Sequence, residues 1–168
     1  MSLKTATLRA VKRLLLVDVC NLLNRLPGYK DRLNEGIDQL AEQLLAELQP
    51  LHDLNHWELH LVVDGKGRQL DQQFHGGVRT LSIVYSPSGV QADTVIESWL
   101  LKLDSNWEVR VASEDRAIIH SAISNKAEPL SAAKLLEWVG TTRKRFSQKR
   151  NSSRDTQKGF GLSLDDLL

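Results

Sequence analysis

The 168-residue sequence predicts a three-layer α/β/α fold around a mainly parallel central sheet, and three observations carry that prediction. Short apolar runs recur without polar alternation, Leu14-Leu15-Leu16-Val17 above all, as strands buried on both faces require. Segments with helical apolar spacing lie between these runs. Finally, runs end in acids: Asp18 after the first, Asp64 after Leu59–Val63, and Glu114-Asp115 after Trp107–Ala112. Parallel strands would bring those acids to one carboxyl-end edge, where open α/β sheets place their ligands.

In chain order, residues 1–12 form a polar lead-in to the first strand, and Leu26-Pro27-Gly28-Tyr29 follows it as a loop. Leu33, Ile37, Leu40, Leu44 and Leu48 recur at spacings of 4, 3, 4 and 4, the apolar stripe of a helix, which Pro50 should stop. A second strand covers about 58–63. The Gly-flanked stretch 65–77 reads as a loop or short helix, and residues 78–85 as a third strand. Ser86-Pro87-Ser88-Gly89 is turn chemistry. Ile96, Trp99, Leu100 and Leu103 make the apolar side of a helix over 92–103, with Asp93 and Glu97 sharing a face near its start. A fourth strand at 108–112 and a short helix from Asp115 to Ile123 come next. Pro129-Leu130-Ser131 opens a last helix to Val139, Ser131 being its N-cap.

From Gly140 the composition changes. Residues 141–168 hold seven basic and three acidic residues, net +4, against 15 basic and 18 acidic in the rest, net −3. The expectation is one domain over 13–140 and a basic, disordered tail over 141–168, ending in the acidic-apolar stretch Gly159–Leu168. The basic residues of the tail (Arg143, Lys144, Arg145, Lys149, Arg150, Arg154, Lys158) suit RNA backbone, ribosomal RNA included, and equally a solubilising role. The single cysteine, Cys20, rules out an internal disulfide framework and suits a reducing, cytoplasmic compartment. No apolar run approaches the roughly 18 residues that span a bilayer.

Asp18, Asp64, Asp93 and Asp115 all fall at a strand end or in the first turn of the following helix. Each has a plain structural use, as N-cap, helix-dipole partner or turn residue. Gathered together, they would repel one another and take up protons unless a cation neutralised them. Mg²⁺ or Mn²⁺, with oxygen ligands, suits such a set and can activate water beside a phosphate.

The ordered motifs also resemble those of the YacP-like NYN domains, a branch of the PIN-like ribonuclease superfamily. Asp18-Val19-Cys20-Asn21, Val62-Val63-Asp64, Gln91-Ala92-Asp93-Thr94-Val95-Ile96-Glu97 and Ser113-Glu114-Asp115 are similar to that family's D-G-Y-N, V-V-F-D, T-A-D-x-x-I-E and T-S-D patterns. The turn Val84–Gly89 and the helix Leu130–Leu136 fit as well. The resemblance implies a metal-dependent endoribonuclease acting on single-stranded or exposed RNA. Asp18, Asp64, Asp93 and Asp115 would be its catalytic and metal positions, Glu97 a supporting metal position and Asn21 an orienting group. Two departures stand out: Val19-Cys20 replaces Gly-Tyr, and Glu114 is inserted before Asp115. The alternatives are a catalytically inactive RNA- or ribosome-binding module and, third, an Asp-dependent phosphatase, whose D-x-D-x-T pattern this chain lacks.

Among the remaining polar residues, Lys66, Arg68 and Arg116 are candidates for phosphate binding or, as readily, solvated turn residues and ion-pair partners. Gly65-Lys66-Gly67-Arg68 lacks P-loop spacing. His52, His56 and His60 are four apart, but His60 belongs to a strand, which argues against zinc. Cys20 reads as a small buried residue. Trp57 is a candidate for base stacking, with packing as the alternative.

Overall fold

A computed structural model describes residues 10–158, with side chains to residue 152; residues 1–9 of the lead-in and the terminus Gly159–Leu168 lie outside the described residues. The described strands are β1 (Lys12–Asp18), β2 (Glu58–Val63), β3 (Asp71–Phe74), β4 (Leu81–Tyr85), β5 (Trp107–Ala112) and β6 (Glu128–Leu130). They form one sheet in the order β3-β4-β2-β1-β5-β6, parallel throughout except for β3, which runs antiparallel to β4.

The helices are α1 (Val19–Leu23), α2 (Ile37–Asn55), α3 (Ala92–Lys102), α4 (Arg116–Ser124) and α5 (Ala132–Lys158), with a 3₁₀ turn at Lys30–Glu35. Alternation along β1 divides them between two layers. Leu15 and Val17 pack with α1, α2 and α5, while Leu14 and Leu16 pack with α3 and α4. The expected three-layer α/β/α architecture is therefore present, and β1 lies at its centre. From β1 the chain crosses to β2 over one face, then returns from β4 to β5 over the other. The sheet's topological switch point thus lies between β1 and β5.

Several elements differ from expectation. Pro50 sits inside α2 rather than ending it. The freed carbonyl belongs to exposed Ala46, within reach of water, while buried Leu48 and Leu51 on either side of the proline reward continuation. Leu33 lies in the 3₁₀ turn, 41% exposed, and not on the α2 stripe. The segment 65–77 contains β3, whose Asp-Gln-Gln-Phe sequence is exposed or half-exposed and so shows no apolar alternation. Pro129 belongs to edge strand β6, a position where its missing N–H is tolerated. Ser131 does cap α5, its Oγ accepting from Lys134 N at 3.2 Å.

The tail expectation is corrected over 141–158, which is helical: α5 runs 27 residues, straight through Gly140. Its first extra turn is held by α2. Asn55 Nδ2 donates to buried Thr142 Oγ1 at 2.8 Å, and Arg143 donates to the Glu47 carbonyl at 3.1 Å. Beyond that, Arg, Lys and Gln are good helix formers. Among the described residues no helix is long and apolar enough to cross a membrane.

One glycine is sterically required. A Cβ on Gly65, just past β2, would stand 2.1 Å from the Ser86 carbonyl oxygen just past β4. Gly65→Ala is therefore expected to destabilise the fold by about 1–3 kcal/mol, the scale of overpacking. Urea melts should show a lower midpoint with an unchanged slope; an unchanged midpoint would mean that the two loops separate freely.

Candidate active site

Asp18 ends β1 and is only 6% exposed, an expensive place for a carboxylate. Two donors attend it. Ser113 Oγ, itself buried, donates to Oδ2 at 2.9 Å, and Asn21 N donates to Oδ1 at a long 3.5 Å as α1 begins. Burial chiefly raises the Asp18 pKa, the Asp64 and Asp115 charges add to the rise, and the two hydrogen bonds oppose it. Asp64 and Asp115 therefore reach Asp18 electrostatically, across the gaps to β2 and β5. No arginine or lysine among the described residues pairs with any of the three.

The other acids each hold a helix start. Asp64 Oδ1 accepts from Ala92 N at 2.7 Å, capping α3 from outside the helix. Asp115 Oδ1 accepts from Ala117 N at 2.7 Å and Ile118 N at 3.2 Å, the N-cap of α4. Asp93, half-exposed, accepts from its own neighbour Thr94 N at 2.7 Å. It stands one residue beyond the Asp64 contact, but its charge does not figure among those acting on Asp18. Glu97 lies a turn further along α3, with no hydrogen bond or ion pair among the described residues. The structure thus brings Asp64 and Asp115 within electrostatic reach of Asp18 and leaves Asp93 and Glu97 on the α3 side.

Asn21 is a positioning residue in this arrangement. Its Oδ1 accepts from Glu114 N at 2.8 Å, tying the loop after β5 to the loop after β1, and lies 3.4 Å from Ser113 Oγ, whose one proton is directed to Asp18. Glu114 turns away: its Oε1 accepts from Ala132 N at 3.1 Å, at the start of α5. Of the two neighbouring acids, Asp115 therefore serves the carboxyl edge. Ser113 is a site residue that sequence reasoning passed over, bonding Asp18 while its Oγ also accepts from Asp115 N at 3.1 Å. Its signal was available, a serine directly after a buried strand. Lys66, Arg68 and Arg116 are exposed at the same edge, cations on the rim.

Other polar groups stand apart. Cys20 is half-buried and its thiol is pushed up to about 11, by burial first and the Asp64 charge with it, so it is no nucleophile at neutral pH. Cysteine also occupies the place where a phosphatase of the D-x-D-x-T type needs its second aspartate. The histidines diverge. His60 is buried with Nδ1 2.7 Å from Ser82 Oγ and its pKa pushed down to about 4, His52 bonds Asp53 and Thr80, and His56 is the left-handed cap of α2. Trp57 is buried, not presented to a ligand.

Among the described residues no three His, Cys, Asp or Glu side chains close into a metal cage. Zinc or calcium centres need such a cage, whereas Mg²⁺ is commonly held by one or two carboxylates and several waters. The donor chemistry fits the latter: an oxygen-only set in which a buried carboxylate is unbalanced by cations.

Acids collected at the carboxyl edge of a doubly wound, mainly parallel sheet are in keeping with a PIN-like nuclease fold. Within that class the chain belongs to the YacP-like NYN domain family, whose model matches residues 15–166. The crystal structure of Rae1 (YacP) from Bacillus subtilis is similar in fold, with TM-score 0.68 at 18% identity over 91% of this chain and 88% of that one. A tryptophan-to-leucine mutant of the same protein gives TM-score 0.68 at 18% identity over 84% and 82%. No curated protein matches the chain significantly.

Proposed function

We propose that this protein is a metal-dependent endoribonuclease that cuts single-stranded or exposed RNA in the cytoplasm. The observation that carries the reading is Asp18: buried, with its pKa raised, and facing Asp64 and Asp115 with no basic partner. An ionised carboxylate in that position is tolerable when a cation shares the crevice. Asp18 would hold Mg²⁺ or Mn²⁺ directly, with Asp64, Asp115, Asp93 and Glu97 reaching the ion through its retained waters. When bound, the ion would activate a water and offset charge on the scissile phosphate. Ser113 and Asn21 keep Asp18 and the Asp115 loop in place, and Lys66, Arg68 and Arg116 meet flanking phosphates.

The basic part of α5 serves affinity at a distance. The helix starts beside Glu114 at the carboxyl edge, and at 1.5 Å per residue its Arg143–Arg150 stretch lies roughly 17–27 Å along it. It would hold RNA, free or ribosomal, remote from the cut, through counterion release.

Labelled unstructured RNA should be cut with Mg²⁺ or Mn²⁺ and left whole with EDTA, and Asp93→Asn should remove the cutting. A second reading, an RNA-binding module without catalysis, is favoured by the caging of Asp64 and Asp115 as helix caps. Salt-sensitive RNA binding with no cutting under any metal would select it.

A further inference from the structure

We propose that the cavity on the β2–β4 side of Asp64 is a nucleobase subsite that selects guanine in the RNA next to the scissile phosphate. The inference rests on the nuclease reading, because Asp64 is shared by both sites. The cavity, about 440 Å³, falls within the size range of small-ligand sites.

Three elements wall it. The loop after β2 supplies Asp64, Gly65, Lys66 and Gly67; the β3 arm supplies Asp71 and Gln73; and the first turns of α2 supply Asp38 and Glu42. These walls are tied together. Gly65 N donates to the fully buried Ser86 hydroxyl at 3.2 Å, which donates onward to Val90 O at 2.6 Å. Ser88 N donates to Gly67 O at 2.7 Å. Tyr85, at the end of β4, lines the cavity with Asp38, and His75 Nε2 stands 3.6 Å from Glu42 Oε1. The loops after β2 and β4 are therefore held to one another on one side of the cavity.

Its chemistry is selective. The lining is rich in acceptors, and Lys66 is the one cation among the described residues that line it. Phosphate is repelled from such an interior and belongs outside, toward Lys66. A base entering it must present donors. Guanine offers two adjacent donors on its Watson–Crick edge, N1–H and N2–H₂, which match the two oxygens of a carboxylate. Adenine and cytosine offer one amino donor beside a ring-nitrogen acceptor, and uracil one donor between two acceptors. Each of those acceptors would face a carboxylate lone pair, an uncompensated repulsion. Asp71 is the best-placed reader. Gln73 Nε2 bonds its Oδ2 at 2.8 Å and fixes its orientation, leaving Oδ1 without a hydrogen bond among the described residues.

Two measurements test this. The first titrates the wild-type protein with 5′-GMP, AMP, CMP and UMP and follows backbone amide shifts. GMP should bind most tightly, about tenfold over UMP, the scale of one bidentate base contact. The Gly65, Gly67 and Gln73 amides should respond most, and Asp71→Asn, on an exposed edge strand, should erase the preference. The second maps cut sites in a random-sequence RNA. Guanine should be enriched at one position beside the cut, and Asp71→Asn or Gln73→Ala should lose the enrichment while cutting continues. Any order in which GMP is not first, or cutting with no guanine bias, overturns the subsite. If no RNA is cut, the nuclease reading fails, yet the nucleotide titration still decides the cavity.

Discussion

Asp18→Asn is expected to abolish RNA cleavage, by at least about a hundredfold, while raising the melting temperature at neutral pH. On the nuclease reading, the loss would be the several kcal/mol of charge stabilisation that an ion held by Asp18 would give to the phosphate or water. The gain in stability follows from burial. Asp18 titrates above its ordinary 3.8 because desolvation and the Asp64 and Asp115 charges penalise the ionised form. A carboxyl with a raised folded-state pKa contributes stability that is complete below 3.8 and lost as pH rises through the raised value. At pH 7 the ionised group is thus a net cost, and an amide, still able to accept from Ser113, removes it. Wild-type stability should fall with rising pH across that acidic window, and this component should vanish in the variant. Divalent ion should act in the opposite sense on the wild type. At a hundred times its dissociation constant Mg²⁺ or Mn²⁺ would add about 2.7 kcal/mol, with far less in the variant. Thermal melts with metal and with EDTA read this without any RNA. A variant that cuts normally, or a wild type whose melting ignores both ions, contradicts the assignment.

Trp57→Ala should produce the largest loss of stability, about 3–5 kcal/mol, without touching the site. The ring is 4% exposed and meets Trp138 edge-on, with centroids 5.0 Å apart. The Arg110 guanidinium lies 4.8 Å from the Trp57 centroid and 4.5 Å from that of Trp138. Arg110 Nε is also 2.7 Å from Glu128 Oε2, close enough to ion-pair though out of line for a hydrogen bond. Removing Trp57 therefore empties a large volume and strips one face from a half-buried cation. Against a total stability of about 5–15 kcal/mol, such a loss shows as a large drop in the urea midpoint. Because the cluster sits at the amino-end edge of the sheet, away from Asp18, any RNA cutting by the folded protein should stay unchanged. Weakened RNA binding with unchanged stability would instead restore the base-stacking role.

Much of this molecule is legible in one dimension. Strand β1 is recognisable because four unbroken apolar residues allow no solvent face, and α2 because its leucines follow the helical period. Polar or short edge elements left no such trace. In β3 both faces meet water, and β6 is three residues long with a proline in the middle. Gly140 reads as a boundary in the chain, yet contacts from Asn55 and Arg143 carry the helix past it.

The same division runs through the site. Apolar runs closed by acids determined that carboxylates collect at one edge, since parallel strands share a direction and their ends must align. Which acids face one another was decided by strand order. With β1 between β2 and β5, Asp18 becomes the buried member and Asp64 and Asp115 its neighbours, while Asp93 stays with α3. Likewise, only the folded chain turns Glu114 toward α5 and leaves Asp115 to cap α4, because Asn21 holds the Glu114 amide while the Ala132 amide holds its carboxylate. Such choices depend on hydrogen bonds between residues 18 and 93 positions apart, and spacing along the chain does not encode them.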